Sequence, residues 1–279
     1  MPWKYTDDYY REYTRVSWNE AAPHYSAYLQ LLEPFGAALL DAVRPATGER
    51  VLDMGTGPGE PAMTIARFVG PTGHVTGIDL AERMVESARG ESTRRGLTNV
   101  EFQVMDCAVL GFPDSSFDVV VSRFGFQIFT DPDAAAREAF RVLRPGGRIG
   151  VSVWGQGPDV PLIDVVMQPM LRHAEPDESG YLPSPYEIGG PGEMVRFLEG
   201  AGFERASERR ISITCEFPDV ESYLRTILEG TPIGHSISEE SRDIQEEIIT
   251  ETRRNLVPWT QDGRVRLPAQ CVLVVAYKA

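Results

Sequence analysis

The sequence predicts an α/β fold: a doubly wound seven-stranded sheet, mostly parallel with an antiparallel C-terminal edge strand, flanked by helices. Three observations predict it. Between residues 50 and 154, short apolar runs alternate with helical patterns at the spacing of βαβ units. One run, Phe117–Ser122 (FDVVVS), is apolar almost throughout, as a strand covered on both faces should be. The first run empties into the glycines Gly55, Gly57 and Gly59, the usual exit of a ligand-binding strand.

The elements follow in order. Trp18–Val43 has helical patterning interrupted at Pro23 and Pro34, so residues 1–45 are expected to form an N-terminal helical lid. Arg50–Met54 is the first strand and Pro61–Val69 the helix after the glycine turn; His74–Asp79 is the second strand, followed by a helix over Ala81–Arg95. Val100–Met105 and Phe117–Ser122 are strands three and four. A helix over Asp133–Leu143 stops before Pro145-Gly146-Gly147, and Arg148–Trp154 is strand five. Beyond Trp154 the pattern loosens: a helix over Asp159–His173, a Pro/Gly-rich loop over Ala174–Gly192, a helix over Gly192–Ala201 and a strand over Glu208–Phe217. Helices over Val220–Leu228 and Glu239–Asn255 flank a turn at Gly230–Gly234, and the strand Gln270–Tyr277 ends the pattern. Residues 46–279 therefore read as one domain, with 218–262 as a helical cap inserted before the last strand. The charged run Ser238–Arg254 is an amphipathic helix, too acidic at its start to favour a membrane surface.

Composition narrows the function. The 279 residues carry 27 Lys+Arg against 41 Asp+Glu, a net charge of −14 that repels phosphate backbones and argues against nucleic acid. Cys107, Cys215 and Cys271 are far apart and form no CxxC pair, so no metal site or disulfide framework is expected and a reducing cytoplasm fits. No run approaches a membrane span, so no integral membrane association is expected.

The chemistry concentrates at Val51-Leu52-Asp53-Met54-Gly55-Thr56-Gly57-Pro58-Gly59-Glu60. The spacing lacks the third glycine of a GxGxxG pyrophosphate fingerprint, and it is bracketed by two acids, Asp53 and Glu60. Acids here repel a pyrophosphate and suit a ligand carrying an ammonium and a sulfonium, which favours S-adenosylmethionine over NAD. Asp79 ends strand two, 20 residues after Gly59, where a carboxylate accepts ribose hydroxyls or caps the next helix. Met84 can pack on an adenine or fill core. Asp106 ends strand three, placed to accept the adenine amino group while the Cys107 N–H meets a ring nitrogen; a solvated turn is the alternative. Three acids at three successive strand ends share the carboxyl edge of the sheet, where ligands of open α/β folds bind.

The set VLDMGTGPG, GIDLAERMVESA, VMDCAVLGFPDSSFDVVVS and RVLRPGGRIGVSVWG resembles the class I S-adenosylmethionine-dependent methyltransferases, with their Rossmann-like sheet. The flavour is that of ubiquinone/menaquinone-biosynthesis enzymes and related small-molecule methyltransferases of natural-product pathways. The resemblance is strong over residues 18–154 and weak in the last strands. It implies Asp53, Gly55, Gly57 and Gly59 around the methionine portion, Asp79 on the ribose, and Asp106 with Cys107 at the adenine. Tyr25, Thr56, Leu80, Met84 and Arg123 complete the cofactor-binding candidates. Arg123 stands where a small residue is usual, and either reaches the cofactor carboxylate or pairs with a surface acid. Pro58 removes one backbone donor from the turn.

The implied reaction is in-line methyl transfer to a small, hydrophobic or cyclic acceptor at oxygen or carbon, yielding S-adenosylhomocysteine. An NAD-dependent oxidoreductase and a non-catalytic S-adenosylmethionine-binding protein are the competing readings. A base would be needed for a hydroxyl or carbon acceptor. Of His24, His74, His173 and His235, the choice falls on His24, because the family places the N-terminal segment over the site. Trp3, Trp18, Tyr5, Tyr9, Tyr10, Tyr13, Tyr25 and Tyr28 are expected to close on the acceptor or to anchor the N-terminal arm. Phe124, Phe126, Phe129 and Trp154 are expected to wall the pocket or to pack as core. The oligomeric state is not legible.

Overall fold

The computed structural model describes residues 8–173, 186 and 188–279. Trp3, Tyr5, the Tyr9 side chain and most of the Ala174–Gly192 loop lie outside the described residues. The helices are α1 (Asp8–Ala21), α2 (Tyr25–Leu31), α3 (Glu33–Val43), α4 (Ala62–Val69), α5 (Glu82–Arg94), α6 (Pro132–Val142), α7 (Pro161–His173), α8 (Glu193–Gly200), α9 (Val220–Gly230), α10 (Pro232–Ser238) and α11 (Arg242–Leu256). The strands are β1 (Arg50–Met54), β2 (His74–Asp79), β3 (Val100–Val104), β4 (Phe117–Arg123), β5 (Leu143–Trp154), β6 (Glu204–Phe217), β7 (Thr260–Gln261) and β8 (Arg264–Tyr277).

Seven strands form the continuous sheet in the order β3-β2-β1-β4-β5-β8-β6, with the two-residue β7 paired to β8. β1 to β5 are parallel, and β8 runs antiparallel to both neighbours. The antiparallel C-terminal strand thus lies one place in from the edge, which β6 closes. Strand order reverses between β1 and β4, opening a crevice beyond their carboxyl ends.

Side-chain alternation explains the two helical layers. Val119 and Val121 of β4 pack with Leu39 and Val43 of α3 and Ile65 of α4, while Val120 packs with Ala135 and Ala139 of α6. The helices start where local chemistry dictates: Asp131 caps α6 by accepting the Ala134 N–H at 2.8 Å, ahead of Pro132.

The cap departs most from expectation. β8 pairs with β5 only through Cys271–Tyr277, whereas its pairing with β6 continues out to Val265. The overhanging ribbon is longer than the expected strands because its alternating polar residues mask it in a sequence scan. Phe217, Val265, Leu267 and Ala269 of the overhang join α2, α7, α9, α10 and α11 in a separate apolar cluster. The expected turn at Gly230–Gly234 carries the start of α10 instead. Thr231 caps it, accepting the Ile233 N–H at 3.3 Å, with Pro232 at the first helical position.

Candidate functional site

β1 delivers the glycine turn to the crevice. Gly55, Gly57 and Gly59 take φ of 74°, 55° and 99°, a region that side chains disfavour. The turn is tied to the end of β2: the Gly55 and Thr56 N–H groups both donate to the Ile78 carbonyl at 2.9 Å. Asp79 is its organiser, accepting the Gly57 N–H at 2.8 Å on Oδ2 and the Ala81 N–H at 2.9 Å on Oδ1. One carboxylate therefore shapes the turn and holds Ala81, the residue that leads into α5. Burial pushes the Asp79 carboxyl up, opposed by these N–H donors.

A cavity of about 730 Å³ opens beyond the turn, ordinary in size for a site holding a cofactor and a small molecule. Tyr25, Gly55, Gly57, Asp79, Leu80, Met84, Asp106, Cys107 and Arg123, all candidates from the sequence, line it. Asp106 accepts the Ala108 N–H at 2.8 Å and meets the Arg11 guanidinium of α1 at 3.0 Å. Burial holds the Cys107 thiol well above its usual range, so it stays neutral. Tyr10, Tyr13 and Trp18 of α1 also reach the wall.

Other candidates fall elsewhere. Asp53, Thr56 and Gly59 stand behind the wall. Asp53 is fully buried, with Oδ2 accepting the Thr56 hydroxyl at 2.7 Å and Oδ1 without a hydrogen-bond partner. Burial pushes its carboxyl up to about 6. A Cβ on Gly59 would meet Met63, Phe102 and Ala88, so that glycine serves core packing. Glu60 turns away to Thr64 and Arg95 and is not the second acid of the site. His24 is corrected too: its side chain is 56% exposed, 3.6 Å from Glu229, and does not line the cavity. It sits at the solvent-facing start of α2, which turns its ring outward.

Arg123 pairs with no acid among the described residues. Its guanidinium donates to the Glu60 carbonyl at 2.9 Å and the Leu32 carbonyl at 3.4 Å. It clamps the α2–α3 junction onto the end of the glycine turn, and its charge opposes the rise at Asp53. The next residue, Phe124, takes φ of 61°, which strains a bulky side chain by roughly 1–3 kcal/mol. The strain is offset by a stack on Trp154 at 4.0 Å and an edge contact with Phe35 at 5.4 Å. Phe124, Phe129 and Trp154 do wall the cavity; Phe126 is core.

The far lobe was not visible in the sequence. Ile163, Met167 and Met170 of α7, Ile227 of α9, Ile233 and Ile237 of α10, and Ile248 of α11 line it, with His173 and Glu240. Their helical spacing is readable, but which face each helix turns inward depends on packing.

The donor set fits S-adenosylmethionine. The lining carries the acids Asp79 and Asp106, which can accept from hydroxyl and amino groups, and aromatic rings that suit positive charge. The turn leaves room for it: a Cβ on Gly57 would project past everything but Tyr25, at 4.0 Å.

Comparison with known proteins agrees. A methyltransferase domain family matches residues 51–147. The nocamycin O-methyltransferase of Saccharothrix syringae is 33% identical over 70% of this chain and 73% of its own. The aklanonic acid methyltransferase DauC of Streptomyces sp. (strain C5) is 34% identical over 71% of this chain and 95% of its own. A ubiquinone/menaquinone biosynthesis C-methyltransferase of Pseudomonas putida is 43% identical, over 37% of this chain and 41% of its own. Fold, site and relatives converge: the chain belongs to the S-adenosylmethionine-dependent methyltransferases.

Proposed function

We propose that this protein methylates a small, apolar, cyclic acceptor at oxygen or carbon. The observation that carries the proposal is that one continuous cavity joins the polar, carboxylate-bearing end of the sheet to a lobe walled mainly by apolar side chains. Relatives bearing the names nocamycin O-methyltransferase and aklanonic acid methyltransferase support a natural-product acceptor of that kind. The cofactor, when bound, supplies a methyl group on a sulfonium, open to displacement by an acceptor electron pair aligned with the carbon–sulfur bond.

The chain's own residues do the rest. Asp79 holds the ribose hydroxyls while keeping the glycine turn closed on Gly57. Asp106 and the Cys107 N–H hold the adenine edge, with Leu80 and Met84 against its face. Asp53 acts from behind the turn, as a buried acid whose ionised form a neighbouring ammonium would favour. Residues 1–45 serve as a lid and residues 218–262 as a cap on the domain formed by residues 46–279. The aromatic walls from α1, α2, β4 and β5 exclude water and seat a flat ring. No described helix is long and apolar enough to cross a membrane. The net charge of −14 supports a small-molecule acceptor rather than nucleic acid, and the buried, unpaired cysteines suit the cytoplasm.

Calorimetric titration with S-adenosylmethionine, S-adenosylhomocysteine and NAD tests the cofactor geometry. Both adenosyl ligands bind the wild type, NAD does not, and Asp79→Ala weakens adenosyl binding about 100-fold through lost charged hydrogen bonds. Adenosyl binding indifferent to Asp79 would refute the assignment of that carboxylate. Screening planar cyclic phenols, enols and carboxylic acids for methylation then tests the acceptor class.

A further inference from the structure

Methylation at a hydroxyl or an acidic carbon requires somewhere for the acceptor's proton to go. The cavity wall offers few places. Asp79 already accepts two backbone N–H groups, and Asp106 is held by the Ala108 N–H and Arg11. Burial pushes the Tyr25 and Tyr28 hydroxyls and the Cys107 thiol up, so they stay protonated and do not serve as bases. Tyr13 meets the Ser236 hydroxyl at 2.5 Å. Among the described residues, His173 and Glu240 remain as the proton acceptors of the apolar lobe.

His173 is the histidine that the cavity selects. His74 opens β2 at the opposite edge of the sheet, His24 faces solvent, and His235 is engaged with Glu20 at 2.6 Å off the cavity wall. His173 ends α7, one turn past Met170, so it continues the helix face that lines the lobe. Its Nε2 lies 3.8 Å from the Glu247 carboxylate of α11, an ion-pair contact too long for a hydrogen bond. Nδ1 has no partner among the described residues. The other acid interacting with the ring is Glu251 of α11, which is itself paired to Arg172 and influenced by Arg254.

We propose that His173 is the general base of the reaction, with Glu247 as the residue that positions its ring. The inference rests on the apolar lobe being the acceptor's seat. The acceptor's O–H or C–H bond breaks, its proton passes to Nδ1, and its electron pair stays on the acceptor. That pair forms the bond to the methyl carbon as the carbon–sulfur bond breaks. The electrons of the broken bond return to sulfur in S-adenosylhomocysteine, and the imidazolium yields its proton to water. Glu247 steadies the transient positive charge.

A binding experiment tests this without turnover. 7-Hydroxycoumarin is a planar bicyclic phenol whose absorption separates phenol from phenolate. It is titrated against pH on the protein saturated with S-adenosylhomocysteine, for the wild type, His173→Gln, Glu247→Gln and Glu240→Gln. The expected result is a phenolate that appears about one pH unit lower on the wild type than on His173→Gln, from the lost imidazolium partner. Glu240→Gln shifts the ionisation less than His173→Gln does, and Glu247→Gln falls between the wild type and His173→Gln. Unchanged S-adenosylhomocysteine affinity in each variant shows that the fold is intact. Identical ionisation on wild type and His173→Gln overturns the proposal, as does loss of the shift in Glu240→Gln alone. Failure of the wild type to bind the coumarin anywhere in the lobe overturns the acceptor seat, and His173 with it.

Discussion

The two ends of the cavity are built by different means. At the cofactor end the working surface is largely backbone, set by strand ends, a glycine turn and Asp79, which fixes two N–H groups at once. At the other end, where the proposed acceptor sits, side chains from α1, α2, α7 and α9 to α11 make the lining. A backbone surface tolerates few changes but accepts one ligand chemistry, whereas a side-chain surface can be repacked without disturbing the fold.

The sharpest way to break that contrast is Gly59→Ala. Its Cβ would stand 2.8 Å from Met63, 3.0 Å from Phe102 and 3.1 Å from Ala88, at a φ of 99°. Strain and overpacking together destabilise by about 3 kcal/mol, read as a lower urea midpoint, with cofactor affinity lost alongside. Wild-type stability here would mean the turn is far more plastic than its geometry implies.

Asp53 gives the next largest effect, through pH. Its carboxyl titrates near 3.8 when unperturbed and near 6 in the folded protein. Between those values the native state holds the extra proton, so this group makes stability fall as pH rises, by up to about 3 kcal/mol. Asp53→Asn removes that contribution, and the difference between wild type and variant in urea unfolding from pH 4 to 6.5 isolates it. A constant difference across that range would show that Asp53 is not desolvated as described.

Met167→Ala probes the other end. Removing this 9%-exposed side chain from the α7 wall should weaken 7-hydroxycoumarin binding three- to tenfold, about 1 kcal/mol. S-adenosylhomocysteine affinity should stay within about twofold. Equal losses for both ligands would erase the distinction between the two ends. The smallest effect belongs to Arg11→Ala, whose pair with Asp106 is half exposed on the arginine side. Surface pairs of this kind contribute about 0–1 kcal/mol, so cofactor affinity should fall by less than about fivefold in calorimetry.

The order of β1 to β5 and the turn from Gly55 to Gly59 were legible because a parallel strand buried on both faces announces itself as an apolar run, and the turn demands glycine at fixed places. Asp79 and Asp106 were legible because strand ends fix their positions. Glu60 was misread for a physical reason: spacing placed it beside the ligand, while the first turn of α4 directs it to Thr64 and Arg95. His24 failed similarly, since its segment covers the site but its own position faces Glu229 and solvent. The overhang of β6 and β8 escaped because a half-exposed ribbon alternates and resembles loop.

What the sequence alone determined is therefore whatever local rules encode: strand and helix periods, the glycine turn, and acids at successive strand ends. The tertiary structure decided which faces of α7 and α9 to α11 turn inward, bringing Ile163, Met167, His173 and Ile248 to one lobe. It also drew Arg123 onto two backbone carbonyls rather than an acid. A helix's period fixes which residues share a face, but only the packing of distant segments fixes what that face meets.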